Sequence, residues 1–195
     1  MSVTTHTLSV LVANEPGVLA RIAGLFSRRA FNIESLAVGP TEDPCLSRMT
    51  IVVSAEHKPI EQVTKQLHKL IHVVRIVELP HDNSVERELG LFKVAAPAGK
   101  RAEILEIAEI FKAQIVDVDT TTLVVESTGT PEQIASLGQL LVPYGILETA
   151  RTGRVALGRG GKILRSPNPH PVPLEDLSRD YASDHHPAEP IPTRR

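Results

Sequence analysis

The chain has 195 residues, 42% hydrophobic and 23% charged, which is enough to bury one medium core or two small ones. Its net charge of −2 excludes a broad cationic face for nucleic acid or anionic lipid. No apolar run approaches the roughly 18 residues of a membrane span, and the single Cys45 excludes an internal disulfide. Together with an N-terminus, MSVTTHTL, that lacks the basic and apolar regions of a secretory signal, these properties predict a cytoplasmic protein. Aromatics are 3% with no Trp, so the core must be aliphatic.

His6–Ala13 alternates, with Leu8, Val10 and Val12 on one side, the period of a half-buried strand. Asn14-Glu15-Pro16-Gly17 interrupts it, and Val18, Leu19, Ile22, Leu25 and Phe26 follow at helical spacing. Phe31–Gly39 returns to a strand, read with Ile33, Ser35 and Ala37 on one side. A loop over Pro40–Pro44 leads to a strand at Met49–Ser54. Pro59 then suits a first helical turn, ahead of the stripe Ile60, Val63, Leu67, Leu70 and Ile71. Val73–Leu79 is the last strand before a turn at Pro80–Asn83. The order is βαββαβ, the ferredoxin-like arrangement.

The second half repeats that order. Leu89–Ala96 is a strand, Pro97-Ala98-Gly99 a break, and Ile104, Ile107, Ala108 and Phe111 a helical stripe. Strands at Ile115–Asp119 and Leu123–Ser127 precede a helix opened by Pro131 and carrying Ile134, Leu137, Leu140 and Leu141. Ile146–Ala150 closes the sheet. The expected organisation is α+β, with two ferredoxin-like βαββαβ domains at 4–80 and 84–165. Segment 166–195 holds seven of the fifteen prolines and almost no aliphatic periodicity, so a disordered tail is expected there.

Catalytic patterns fail on context. His68 and His72 have a zinc-clamping spacing, but no Glu follows His68 and no third ligand is evident, so both read as solvent-facing helix residues. Gly158-Arg159-Gly160-Gly161-Lys162 resembles a phosphate loop only faintly. Ala156 stands where that motif needs its first glycine, and Ile163 where it needs Ser or Thr, so a domain end or a partner contact is the better reading. Cys45 has no flanking base, and His185-His186 reads as solvated.

The first strand-to-helix turn is different. A helix start leaves backbone N–H groups unpaired and attracts anions, and Gly17 removes the Cβ that would block close approach. An amino acid's carboxylate is a plausible occupant. Its ammonium could use the side-chain carbonyls of Asn14 and Asn32, with Val18, Leu19 and Ile33 lining an aliphatic pocket. On residue chemistry alone the plainer reading stands beside it: Asn14 and Asn32 as turn residues, and Gly17 easing a tight turn.

The βαββαβ unit with Asn14-Glu15-Pro16-Gly17-Val18-Leu19 after its first strand resembles the ACT domain, a small-molecule sensor. The runs RIAGLFSRRAFNIESLAVGPTEDPCLSRMTIVV (21–53), KQLHKLIHVVRIVEL (65–79), ERELGLFKV (86–94), EIFKAQIVDV (109–118) and ARTGRVALGRGGKILR (150–165) are similar to the small regulatory subunit of acetolactate synthase, or acetohydroxyacid synthase. That resemblance implies a non-catalytic chain with no cofactor of its own. Its partner would be a large subunit carrying thiamine diphosphate, Mg²⁺ and FAD. The small subunit raises that partner's activity and confers feedback inhibition in branched-chain amino-acid synthesis, usually by valine bound between two ACT domains of a homodimer. The positions matching the effector motif are Asn14, Gly17, Val18, Leu19, Asn32 and Ile33. The second domain lacks the Asn-x-x-Gly turn and is expected to contact the large subunit and carry activation. The alternative is a stand-alone ACT-type sensor controlling another enzyme or a transcription factor.

Overall fold

A computed structural model of the protein describes residues 5–54, 60–97, 99–161 and 163–165. The expected tail at 166–195 and the helix opening at Pro59 lie outside these residues. The first half runs β1 (Thr5–Ala13), α1 (Val18–Arg28), β2 (Asn32–Pro40), β3 (Leu46–Ser54), α2 (Ile60–Leu67) and β4 (Val73–Glu78). Its antiparallel sheet has the order β2-β3-β1-β4, with β2 and β4 at the edges. Leu8, Val10 and Val12 pack with Ile51 and Val53 against Ile22 and Phe26 of α1 and Val63 and Leu67 of α2. Burying such a side chain contributes about 1.5–3 kcal/mol.

After a short turn at His81–Asn83, the second half runs β5 (Ser84–Ala95), α3 (Arg101–Ile110), β6 (Gln114–Val118), β7 (Thr122–Gly129), α4 (Pro131–Leu141), β8 (Ile146–Arg151) and β9 (Val155–Gly158). Its sheet has the order β6-β7-β5-β8. Phe92, Val94, Leu123 and Val125 form its core with Ile104 and Ala108 of α3 and Ile134, Leu137 and Leu141 of α4. The fold is α+β, with two ferredoxin-like sheets.

Four departures from the sequence reading matter for the site. First, β1 is buried on both faces, because Thr7, Ser9 and Leu11 are covered as fully as Leu8 and Val10. Leu164 packs on Leu11 and Leu46 from the side away from the helices. Second, β5 begins at Ser84, five residues early, because Ser84–Arg87 pairs with the unforeseen strand β9. Third, a bulge at Glu34 breaks the alternation of β2: Ile33 and Leu36 pair with Val53 and Ile51 on the helix side, while Ser35 and Ala37 pair with Val52 and Thr50 on the other. Ile33 and Ser35 therefore face opposite ways. Fourth, α2 stops at Leu67, leaving Ile71 89% exposed and placing His72 in the turn before β4.

The two halves are joined by a polar clasp. Arg154 Nη1 lies 3.2 Å from Glu86 Oε2 and donates to Thr7 Oγ1 at 3.3 Å, and Thr7 in turn donates to Glu86 Oε1 at 3.3 Å. The Arg154 backbone N–H donates to Ser35 Oγ at 2.8 Å. Gly153 sits at φ +75, and a Cβ there would lie 2.5 Å from Ser35 Oγ, so this approach requires glycine on both counts. Beside the clasp, buried Glu88 takes a two-pronged bond from Arg151 at 2.7 and 2.8 Å.

Candidate functional site

The turn between β1 and α1 is anchored through Asn14 to the β2–β3 loop. The Asn14 backbone N–H donates to the Cys45 carbonyl at 2.8 Å, and its Nδ2 donates to the Pro44 carbonyl at 3.0 Å. Its Oδ1 accepts from Ser47 Oγ at 3.1 Å, leaving one lone pair of that oxygen for another donor. Asn14 is thus anchored to the β2–β3 loop while its side chain stays at the surface.

Gly17 caps α1 in the left-handed conformation, φ +85, where a side chain would be strained. No side chain caps this helix start, and no acidic residue occupies its first turn. The first helical hydrogen bond runs from the Arg21 N–H to the Gly17 carbonyl at 3.1 Å, so the amides of Leu19 and Ala20 precede the helical ladder. A Cβ built on Gly17 meets nothing within 4 Å. The position of a Gly17 Cβ is thus unfilled, and no carboxylate in the first turn opposes the partial positive charge of the helix start.

Val18 is buried in the helix–sheet core, whereas Leu19 is 47% exposed, so Leu19 is the aliphatic side chain presented at the helix start. His72 completes this end of the domain. Its Nδ1 lies 3.3 Å from Glu15 Oε2, and its Nε2 lies 3.1 Å from Arg21 Nη1. Sequence spacing paired His72 with His68 on a helix. The early end of α2 instead swings it to the Asn14–Gly17 turn, which nothing in the local pattern signals.

Asn32 and Ile33 are elsewhere. Asn32 pairs with Ser54 at the far end of β3, whereas Ala13 pairs with Leu46 at the near end. Eight strand steps separate the two ends, about 26 Å at the usual rise. Within one chain, then, Asn14, Gly17 and Leu19 form one cluster and Asn32 with Ile33 another. Asn32 is exposed on the edge strand β2, and Ile33 packs partly against the first core. Among the described residues, no group of three His, Cys, Asp or Glu side chains gathers to hold a metal ion. No helix among them is long and apolar enough to cross a membrane.

Residues 8–75 match the family described as an AHAS small subunit-like ACT domain, and residues 87–160 match the small subunit of acetolactate synthase. The chain is 59% identical over 156 residues to the acetolactate synthase small subunit of Mycolicibacterium smegmatis, covering 80% of this chain and 92% of that one. It is 55% identical over 157 residues to the probable acetolactate synthase small subunit of Archaeoglobus fulgidus, covering 80% and 98%. The crystal structure of the Thermotoga maritima acetolactate synthase small subunit superposes with a TM-score of 0.77 at 40% identity, over 82% of this chain and all of that one. Two family matches that divide between the two sheets, and similarity that runs through both, place this chain in the family of acetolactate synthase small, regulatory subunits.

Proposed function

We propose that this chain activates the catalytic large subunit of acetolactate synthase and makes it sensitive to feedback inhibition by valine, which binds between the first domains of two copies. The observation that carries this reading is the uncapped start of α1 at Gly17, open to an anion and flanked by Asn14 and Leu19. The valine carboxylate takes the helix-start amides, and its ammonium takes side-chain carbonyls.

The second copy supplies Asn32 and Ile33. β2 is an edge strand with unpaired backbone groups, a template for a two-fold partner. When two β2 strands pair antiparallel, Asn32 of one lies beside Pro40 of the other. Pro40 pairs with Ser47, the residue that holds Asn14, so this end of the sheet is also the end with the open helix start. The arrangement reunites two clusters that one chain keeps about 26 Å apart.

Valine then biases the dimer toward a form that activates less, a coupling of about 1–3 kcal/mol. β2 offers the route, because Ser35, one residue past the Glu34 bulge, accepts the Arg154 amide from the second half. That second half contacts the large subunit. The test is reconstitution with the large subunit, followed by acetolactate production as valine, leucine and isoleucine are added in turn. The expected result is activation by this chain and inhibition by valine. Unchanged activity on adding the chain would overturn the reading, and inhibition by leucine or isoleucine alone would reassign the effector.

A further inference from the structure

A second ligand site is indicated on the face of the first sheet that points away from the helices. Arg48 of β3 and Arg75 of β4 both stand in register with Leu11 of β1, so they project from the same face, two strands apart. That spacing is about 9–10 Å. Residues 157–161 and 163–164 lie over this face, with Leu164 buried on Leu11, and bound a cleft of about 670 Å³. Arg159 enters it from above, positioned by its backbone N–H bond to the Asn83 carbonyl at 2.9 Å.

Three guanidinium groups therefore line one cleft, and among the described residues none of them has a carboxylate partner. Arg48 donates instead to Ser9 Oγ and the Leu164 carbonyl, both at 3.3 Å. The one acid in the lining, Glu78, is engaged by His6 at 2.6 Å. Like charges gathered around one cleft repel, and a bound anion would offset that repulsion. Leu157, Ile163 and Leu164 supply apolar wall, and the volume is that of a small-molecule site.

We propose that this cleft binds a small organic anion, a carboxylate or phosphate carried on a short apolar body, with Arg75 and Arg159 as its principal ligands. The segment Gly158-Arg159-Gly160-Gly161 fails the spacing of a nucleotide phosphate loop but places its arginine in the cleft. The site is independent of the valine reading, because it lies on the opposite face of the sheet from α1.

The test is calorimetric titration of the full chain at constant ionic strength with inorganic phosphate, pyrophosphate and isobutyrate. It is repeated on Arg75→Gln combined with Arg159→Gln. Arg48 is spared because it holds Leu164. The expected result is saturable binding of at least one probe at one site per chain, weakened tenfold or more in the double variant, with the thermal midpoint and valine response unchanged. Saturation by isobutyrate alone identifies a carboxylate ligand, and saturation by a phosphate probe identifies a phosphoryl one. Failure of all three probes to saturate, or equal binding by wild type and variant, overturns the proposal.

Discussion

The same strand-to-helix turn occurs twice in this chain and is finished in two ways. Neither helix start has a capping side chain, but the first opens at Gly17 with a left-handed backbone and no acidic residue in its first turn. In the second half the start of α3 is tied down. Arg101 Nε donates to the Ala96 carbonyl at 3.1 Å, and its Nη2 donates to the Asp119 carbonyl. Lys100 Nζ meets Glu103 at 2.8 Å, setting a carboxylate in the first turn of α3. One fold position is left untied in one domain and is a structural joint in the other. Topology fixes where a helix start lies, and the residues around it decide whether a ligand can use it.

The largest expected effect comes from closing the open turn. Gly17→Asp places a carboxylate where the proposed site would hold the effector's own carboxylate, so half-inhibition by valine should need more than tenfold more valine, or about 1.4 kcal/mol of lost binding. Unchanged inhibition curves from the reconstituted enzyme would remove the turn from the site. Asn32→Ala removes one side-chain acceptor from the other cluster and should weaken valine binding by about 1–1.5 kcal/mol, read by calorimetry. Ser35→Ala touches neither cluster. Calorimetry on this variant should find valine binding intact while inhibition in the reconstituted enzyme weakens several-fold, the range reported for coupling residues of about 0.5–2 kcal/mol. Parallel loss of binding would place Ser35 in the site itself.

The smallest effect should come from the second turn. Arg101→Ala frees two carbonyls at a surface-exposed helix start, so stability should fall by about 1 kcal/mol in denaturant unfolding with the valine response unchanged. A lost valine response would mean that the two turns are not the contrasting pair described.

The order of elements was legible in the sequence because period two and period 3.6 alternate cleanly, as in Leu8-Val10-Val12 and Ile104-Ala108. The Asn14–Gly17 turn was legible as a break between strand and helix, and the left-handed backbone at Gly17 accounts for the glycine. What escaped depends on contacts between distant parts. Strand β9 is four residues long and forms only because Ser84–Arg87 extends to meet it. The Glu34 bulge reverses the facing of Ser35 without leaving a mark in the hydrophobic pattern. His72 reached the turn through an early helix end, and Arg48 and Arg75 share a cleft only once register is known. Residue chemistry also grouped Asn14 with Asn32, and the fold of one chain separates them.

That separation allows a direct experiment. Chains carrying Gly17→Asp are mixed with chains carrying Asn32→Ala under conditions that exchange subunits, and valine binding is counted. In a mixed dimer a shared site brings both substitutions together at one interface position and leaves the other position intact. An equal mixture is therefore expected to recover about one quarter of the wild-type sites at wild-type affinity. If the mixture binds no better than its two components, the effector site lies within a single chain, and the shared-site account is wrong.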